Sequence, residues 1–275
     1  MNLVPVDDPA DPRLVAYRDI RERDLRRRDG LFVCEGTVVL DALSRSEAFE
    51  PVSIIVLRGR LDGVRHILAR FPASVPVHVV ERDVLDPVVG FPMHRGVLAM
   101  ARRRTPLGFH DLFGAPARSF VAAIELANHD NAGAILRIAS AFGAGGVAFD
   151  GRSVDPLYRK SIRVSAGSAL TLPWAHGGEA GAILDAMEAA GIAPLALSPG
   201  GERSLADIEP TGRVGLVLGA EGRGLPEPIL SRCTSVRIPM APGHDSLNVA
   251  VSCAVALYEL TRRPSPKPGA ADAPV

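Results

Sequence analysis

From residue 119 to residue 262, short apolar runs alternate with segments of helical period, and that alternation leaves few folds open. "SFVAAIEL" reads as a strand and "AGAILRIASAFG" as a helix closed by Gly143. "GGVAF" follows as a strand, "DPLYRKSIRVSAGSAL" as mostly helix, and "TLPWA" as a short strand. A helix over 179–190 ends at Gly191, ahead of the strand "APLAL". "RVGLVLG" is a strand, "LPEPILSRC" a short helix, "SVRIPM" a strand, and 246–262 the final helix. Antiparallel strands can be joined by tight turns, whereas strands separated by helices need crossovers. This order therefore predicts a mostly parallel sheet with helices on both faces.

The first hundred residues form a smaller α/β unit. "LFVCEG", "VSIIVL", "PVHVV" and "GVLAMA" are β-branched runs, with helices expected after Gly36 and at 63–70 and 81–87. Residues 11–29 read as a charged helix. Pro, Gly and charge dominate 103–118, which reads as a linker between units 1–102 and 119–262. The Pro- and Ala-rich stretch 263–275 reads as a disordered tail. With 47% hydrophobic and 23% charged residues, the chain can fill cores of this size. No apolar run approaches the roughly 18 residues of a membrane span, so no membrane partner is expected. Cys34, Cys233 and Cys253 are scattered without metal-ligand spacing, which fits a reducing cytoplasm and no bound metal. The formal net charge is zero, so no global basic excess announces a polyanion partner. The cations are nearly all arginine, Lys160 and Lys267 being the only lysines. They cluster in "RDIRERDLRRRD" and "ARRR" at 101–104, where a neutral sum can hide a basic face.

Three polar loops interrupt the apolar pattern of the second half. In "ELANHDNAGAILR", Asn131 occupies an N-cap position; counting from Ala132, Arg137 is the one charge in the second turn of an apolar helix. An arginine there can simply snorkel its head into water. "VLGAEGRGLPEPIL" sets Glu221 among Gly219, Gly222 and Gly224. It is neither a Walker loop nor GxGxxG, and taken alone is a tight turn. In "IPMAPGHDSLNVAVS", Ser246 or Asp245 can cap the last helix, which leaves Asn248 past the cap and in need of a hydrogen-bond partner. All three loops follow strands of one parallel sheet and so emerge at one edge, where open α/β folds bind ligands. Asn131, Arg137, Glu221, Ser246 and Asn248 can therefore converge on a single cleft.

The order and wording of these loops resemble the SpoU (TrmH) family of RNA ribose 2′-O-methyltransferases, within the SPOUT superfamily. The likeness spans about 119–262: Asn131-Ala-Gly133-Ala-Ile-Leu-Arg137 followed by "ASAFG", then "LGAEGRGL", then "IPMAPGHDSLNVAVSCAVALYE". The loop ahead of Asn131 departs from the pattern, with Asn128-His129 where many members carry Asp-Pro. "FVCEG" and "HRGVLAMA" resemble the family's substrate-binding domain. The resemblance implies an α/β fold with a C-terminal, knotted (trefoil) parallel-sheet methyltransferase domain and a smaller N-terminal α/β substrate-binding domain. It implies S-adenosyl-L-methionine as cofactor, RNA as partner with ribosomal RNA foremost, and a homodimer. By motif position, Leu218, Gly219, Gly222, Ile238, Met240, Leu247 and Asn248 would hold the cofactor. Asn131, Arg137, Glu221, Ser246 and Asn248 would serve catalysis, with Arg137 clamping phosphate or ribose and Glu221 positioning Arg137 or taking the proton. RNA contact is expected from the N-terminal unit. A tRNA substrate, and an inactive RNA-binding protein on the same fold, are the alternatives. A nucleotide-dependent oxidoreductase would need a strand–GxGxxG–helix unit, which is missing.

Overall fold

The computed structural model describes residues 1–18, 30–209 and 212–262. The charged stretch 19–29 and the tail 263–275, on which the expected disordered tail falls, lie outside the described residues; of the helix expected over 11–29 the described part is a 3₁₀ turn at Pro12–Tyr17. The chain divides into two compact units, one of Met1–Pro106 with Asp155–Thr171, the other of Leu107–Val154 with Leu172–Val275.

In the first unit β1 (Asn2–Pro5), β2 (Leu31–Glu35), β3 (Phe49–Leu57), β4 (Pro76–Val80) and β5 (Val97–Arg103) form one sheet in the order β1-β4-β3-β5-β2. β1, β4 and β3 run parallel, while β5 is antiparallel to both β3 and β2. The strand β1 is mostly exposed and lies at the sheet edge, so its four residues carry no apolar alternation for the sequence to show. The helices α1 (Thr37–Ser44), α2 (Leu61–Leu68) and α3 (Arg82–Val89) connect the strands.

The second unit begins inside the stretch read as linker. α4 (Phe109–Gly114) buries Leu112 and Phe113 completely, and the Phe113 ring meets Phe120 edge-on at 5.3 Å. Only three large apolar residues mark that turn, too few to register as a helical period. Burying two such side chains is nevertheless worth about 1.5–3 kcal/mol each. The strands β6 (Ser119–Ala123), β7 (Val147–Phe149), β8 (Trp174–His176), β9 (Ile192–Leu197), β10 (Arg203–Ser204), β11 (Arg213–Leu218) and β12 (Thr234–Arg237) alternate with helices as the sequence implies. Those helices are α5 (His129–Ala141), α8 (Ala180–Ala189), α9 (Glu227–Leu230) and α10 (Val249–Arg262). The sheet order is β10-β12-β9-β11-β6-β7-β8, with every pair parallel. β6, β9, β11 and β12 therefore all point their carboxyl ends to one edge.

Between β7 and β8 the chain makes α6 (Arg159–Val164) and α7 (Ser168–Thr171), and this segment packs in the first unit, α6 on β2 and α7 on α1. At the α1–α7 contact Gly167 has φ 88°, and a Cβ there would stand 2.6 Å from that of Ala42. The sequence reading kept these residues within 119–262. Their apolar positions, Ile162, Ala169 and Leu170, are buried by partners that periodicity cannot identify.

Candidate active site

The carboxyl edge of the second sheet carries a cleft of about 820 Å³. It is lined by Leu197–Pro199 after β9, by Leu218–Leu225 after β11, and by Ile238, Met240 and Asp245–Val249 after β12, with Leu230 and Ser252 completing the wall. That volume is in the range of small-molecule sites, and the mixture of apolar side chains with a few hydroxyls and amides is their usual lining.

The loop after β11 folds back on itself. Gly224 N–H donates to the Ala220 carbonyl at 3.0 Å, and the two residues form an isolated antiparallel bridge. A Cβ on Gly219 would stand 2.3 Å from the Gly224 carbonyl carbon, so no other residue fits there without moving backbone. Gly222 and Gly224 take φ 86° and 71°, the left-handed region that glycine adopts without penalty. The tight loop sets Glu221 at its tip.

Helix α5 leaves β6 through a polar turn capped by Asn128, whose side chain accepts from Asp130 N–H at 2.8 Å. Asn131 is thus not the cap expected from the sequence. It lies within the first turn of the helix and is 6% exposed. Its Nδ2 donates to Glu221 Oε1, and its Oδ1 accepts from Asn248 Nδ2 at 3.1 Å. Asn248 is corrected in turn. It does not lie past the cap of the last helix but is the cap: its Oδ1 accepts from Ala250 N–H at 2.9 Å and Val251 N–H at 3.3 Å. Accordingly the helix begins at Val249, three residues later than the apolar run implies. Asp245 and Ser246 are exposed on the cleft wall. Asn248 is itself exposed, and it caps the last helix while its amide nitrogen reaches the buried Asn131, so a polar chain of two amides and one carboxylate runs Asn248–Asn131–Glu221 across three loops.

Arg137 stands apart. It is exposed on α5, does not line the cleft, and forms no hydrogen bond or ion pair with described residues. Six residues at about 100° each carry it roughly 120° around the helix from Asn131, so one α-helix cannot aim both at the same point. Of the five expected catalytic residues, Asn131, Glu221 and Asn248 meet directly, Ser246 lies on the same wall, and Arg137 does not join them. All seven residues expected to hold a cofactor, namely Leu218, Gly219, Gly222, Ile238, Met240, Leu247 and Asn248, line the cleft. Sequence reasoning missed Ser198, Pro199 and Ser252. The first two had a signal: "APLAL" was read as a strand of the same parallel sheet, so the loop after it had to reach the same edge.

A sequence profile described as the SpoU rRNA Methylase family matches residues 118–258. An uncharacterized tRNA/rRNA methyltransferase of Mycobacterium bovis is 37% identical over 273 residues, covering 95% of this chain and 93% of its own. The AdoMet-bound rRNA methyltransferase from Sinorhizobium meliloti superposes with a TM-score of 0.80 at 24% identity, over 94% of this chain and 98% of that one. The crystal structure of an RNA 2′-O ribose methyltransferase gives 0.73 at 26% identity, over 94% and 98%.

Proposed function

The chain belongs to the SpoU rRNA methylase family, and from that premise we propose that it methylates a ribose 2′-hydroxyl of RNA, ribosomal RNA in particular, using S-adenosylmethionine. The cleft fits that cofactor. Gly219 lets the loop after β11 fold tightly against Gly224 to form one wall, and Leu218, Ile238, Met240 and Leu247 offer apolar contact to an adenine ring. Ser198, Ser246 and Asn248 supply hydroxyl and amide groups for the polar end. The bound cofactor supplies an electrophilic methyl carbon.

The observation that carries the reading is the Asn248–Asn131–Glu221 chain at the cleft wall. Asn131 holds one carboxylate oxygen of Glu221, which leaves the other to accept the proton of a ribose hydroxyl. That proton leaves as the 2′-oxygen forms its bond to carbon and the sulfur–carbon bond breaks. Alignment of the oxygen is the larger part of the task, and a carboxylate held by an amide is a pre-oriented acceptor. A guanidinium keeps its proton at any accessible pH, so Arg137 is assigned to binding phosphate. On this reading the protein is a cytoplasmic homodimer whose C-terminal segment is knotted. The return of α10 from β12 to pack on α5 and β11 supports the knotted path. The exposed stripe Val251, Val255 and Tyr258 on α10 supports the dimer.

Calorimetric titration should give saturable binding of S-adenosylmethionine and none of NAD. Labelled methyl groups should pass to ribosomal RNA, and the product should resist alkaline cleavage at one nucleotide. Transfer to tRNA alone would replace the substrate, and absence of cofactor binding would overturn the reading.

A further inference from the structure

The turn that leads from β6 into α5 contains a backbone conformation that needs support. Glu125, two residues past the strand, has φ 54°, in the left-handed region that side chains other than glycine, asparagine and aspartate seldom adopt. Just before it, Ile124 N–H still donates to Leu218 O at 2.9 Å. Glu125 is therefore the point at which the chain leaves the sheet.

A buried carboxylate from the neighbouring loop holds that point. Asp150, 2% exposed, follows β7. Its Oδ1 accepts from Glu125 N–H at 2.9 Å, from Ser153 N–H at 3.0 Å and from Ser153 Oγ at 2.6 Å. Ser153 Oγ in turn accepts from Leu126 N–H at 3.0 Å. Two successive amides of the turn are thus clamped by one Asp–Ser pair. Outside the clamp, Arg152 pairs with the Glu125 carboxylate at 2.7 Å, an exposed contact of little consequence. None of these groups reaches the cleft. What they bear on is the next helix: three residues past Glu125 comes the cap Asn128, and three further comes Asn131.

We infer that Asp150 is a positioning residue for methyl transfer: its carboxylate holds the left-handed turn at Glu125, and the turn sets the direction of α5 and so the place of Asn131 against Glu221 and Asn248. The inference rests on the reading of the cleft as the methyl-transfer site. A return of Glu125 to negative φ would swing the loop that leads to Asn131, and since none of residues 125–131 lines the cleft, the effect belongs on turnover ahead of cofactor binding.

The test uses the full chain. Asp150→Ala should raise hydrogen exchange at the Glu125 and Leu126 amides and leave the affinity for S-adenosylmethionine unchanged. It should lower kcat about tenfold or more, the scale expected when a reacting group is displaced by a fraction of an ångström to an ångström. Adding Glu125→Gly should restore most of kcat, because glycine takes the left-handed conformation without the carboxylate. Where Asp150→Ala does not fold, Asp150→Asn carries the same comparison, since it keeps the shape and weakens the acceptor. Unchanged kcat in a folded variant with rapidly exchanging amides overturns the inference. So does a loss of kcat that Glu125→Gly leaves untouched, which would assign Asp150 a purely structural part. A wild-type chain that transfers no methyl group overturns the functional reading instead, and exchange still decides the turn: amides as protected in Asp150→Ala as in wild type mean that Asp150 does not hold it.

Discussion

Asn248 uses both ends of its amide, the oxygen to cap α10 and the nitrogen to reach Asn131. A single truncation therefore confuses two effects. Asn248→Ala removes a cap worth about 1 kcal/mol and should lower the melting temperature by about 2–4 °C in a protein of this size. It also breaks the amide chain. Asn248→Ser separates them, because a serine hydroxyl caps nearly as well and cannot reach Asn131. The expected outcome is a melting temperature close to wild type with methyl transfer reduced about 5- to 150-fold, the rate equivalent of roughly 1–3 kcal/mol. Full activity in Asn248→Ser would assign the amide to helix capping alone. Gly219→Ala makes a companion test. The new methyl group collides with the Gly224 carbonyl, so the loop must open and cofactor binding should be lost, as a titration would read directly.

Helix α10 presents two apolar faces. Ala250, Cys253, Ala256, Leu257 and Leu260 are buried within the unit, whereas Val251, Val255 and Tyr258, at spacings of four and three, are exposed. The second stripe follows the geometry of a helix seam. The pair Val251→Glu and Val255→Glu should leave the monomer folded and shift sedimentation from dimer to monomer at micromolar concentration. A wild-type monomer under those conditions would remove the dimer from the reading. In the first unit, β4 carries the buried His78, 3% exposed, whose Nδ1 has no hydrogen-bond partner among the described residues. Burial, with the nearby Arg13 cation adding to it, holds its pKa below the ordinary histidine value of 6.5. The folded state thus keeps the ring neutral where the unfolded chain takes up a proton. Its contribution to stability is complete above pH 6.5 and is lost as the pH falls through the depressed folded pKa. The unfolding midpoint should drop below pH 6.5, and His78→Leu should flatten that dependence.

Across the whole chain, the segment Asp155–Thr171 departs from and returns to the second unit in sequence while packing in the first. Deleting residues 1–102 takes away β2 and α1, against which α6 and α7 bury Ile162, Ala169 and Leu170. Such a truncation is expected to bind a hydrophobic dye and to aggregate. A well-behaved truncated protein with full cofactor affinity would show that the segment finds other cover. RNA contact by the first unit is better tested by charge reversal at Lys160 and Arg163, both exposed on α6. If these residues meet phosphate, RNA affinity should weaken and the dependence on salt should fall by about one unit of slope for each cation removed.

The strand–helix alternation of 119–262 pointed to the parallel sheet, because a helix between two strands carries the chain back for a parallel crossover, although the same alternation in the first unit leaves β5 antiparallel to β3 and β2. It also determined that the loops after "AAIEL", "GLVLG" and "VRIPM" share one edge, and hence that Asn131, Glu221 and Asn248 could meet. Local pattern stops there. Which amide caps which helix depends on where the backbone turns: Asn128 and Asn131 carry the same side chain three residues apart, and only the turn at Glu125 selects between them. Arg137 shares a motif with Asn131 yet points elsewhere, a consequence of six residues of helical rotation that spacing alone obscures. α4 is too short to carry a period, and the helical run of α6–α7 does not name what covers it, so the burial of both was settled by non-local partners, Phe120 for the one and β2 and α1 for the other. The clamp of Asp150 on Glu125 joins residues 25 apart through a buried carboxylate, a contact that exists only once β6 and β7 lie side by side.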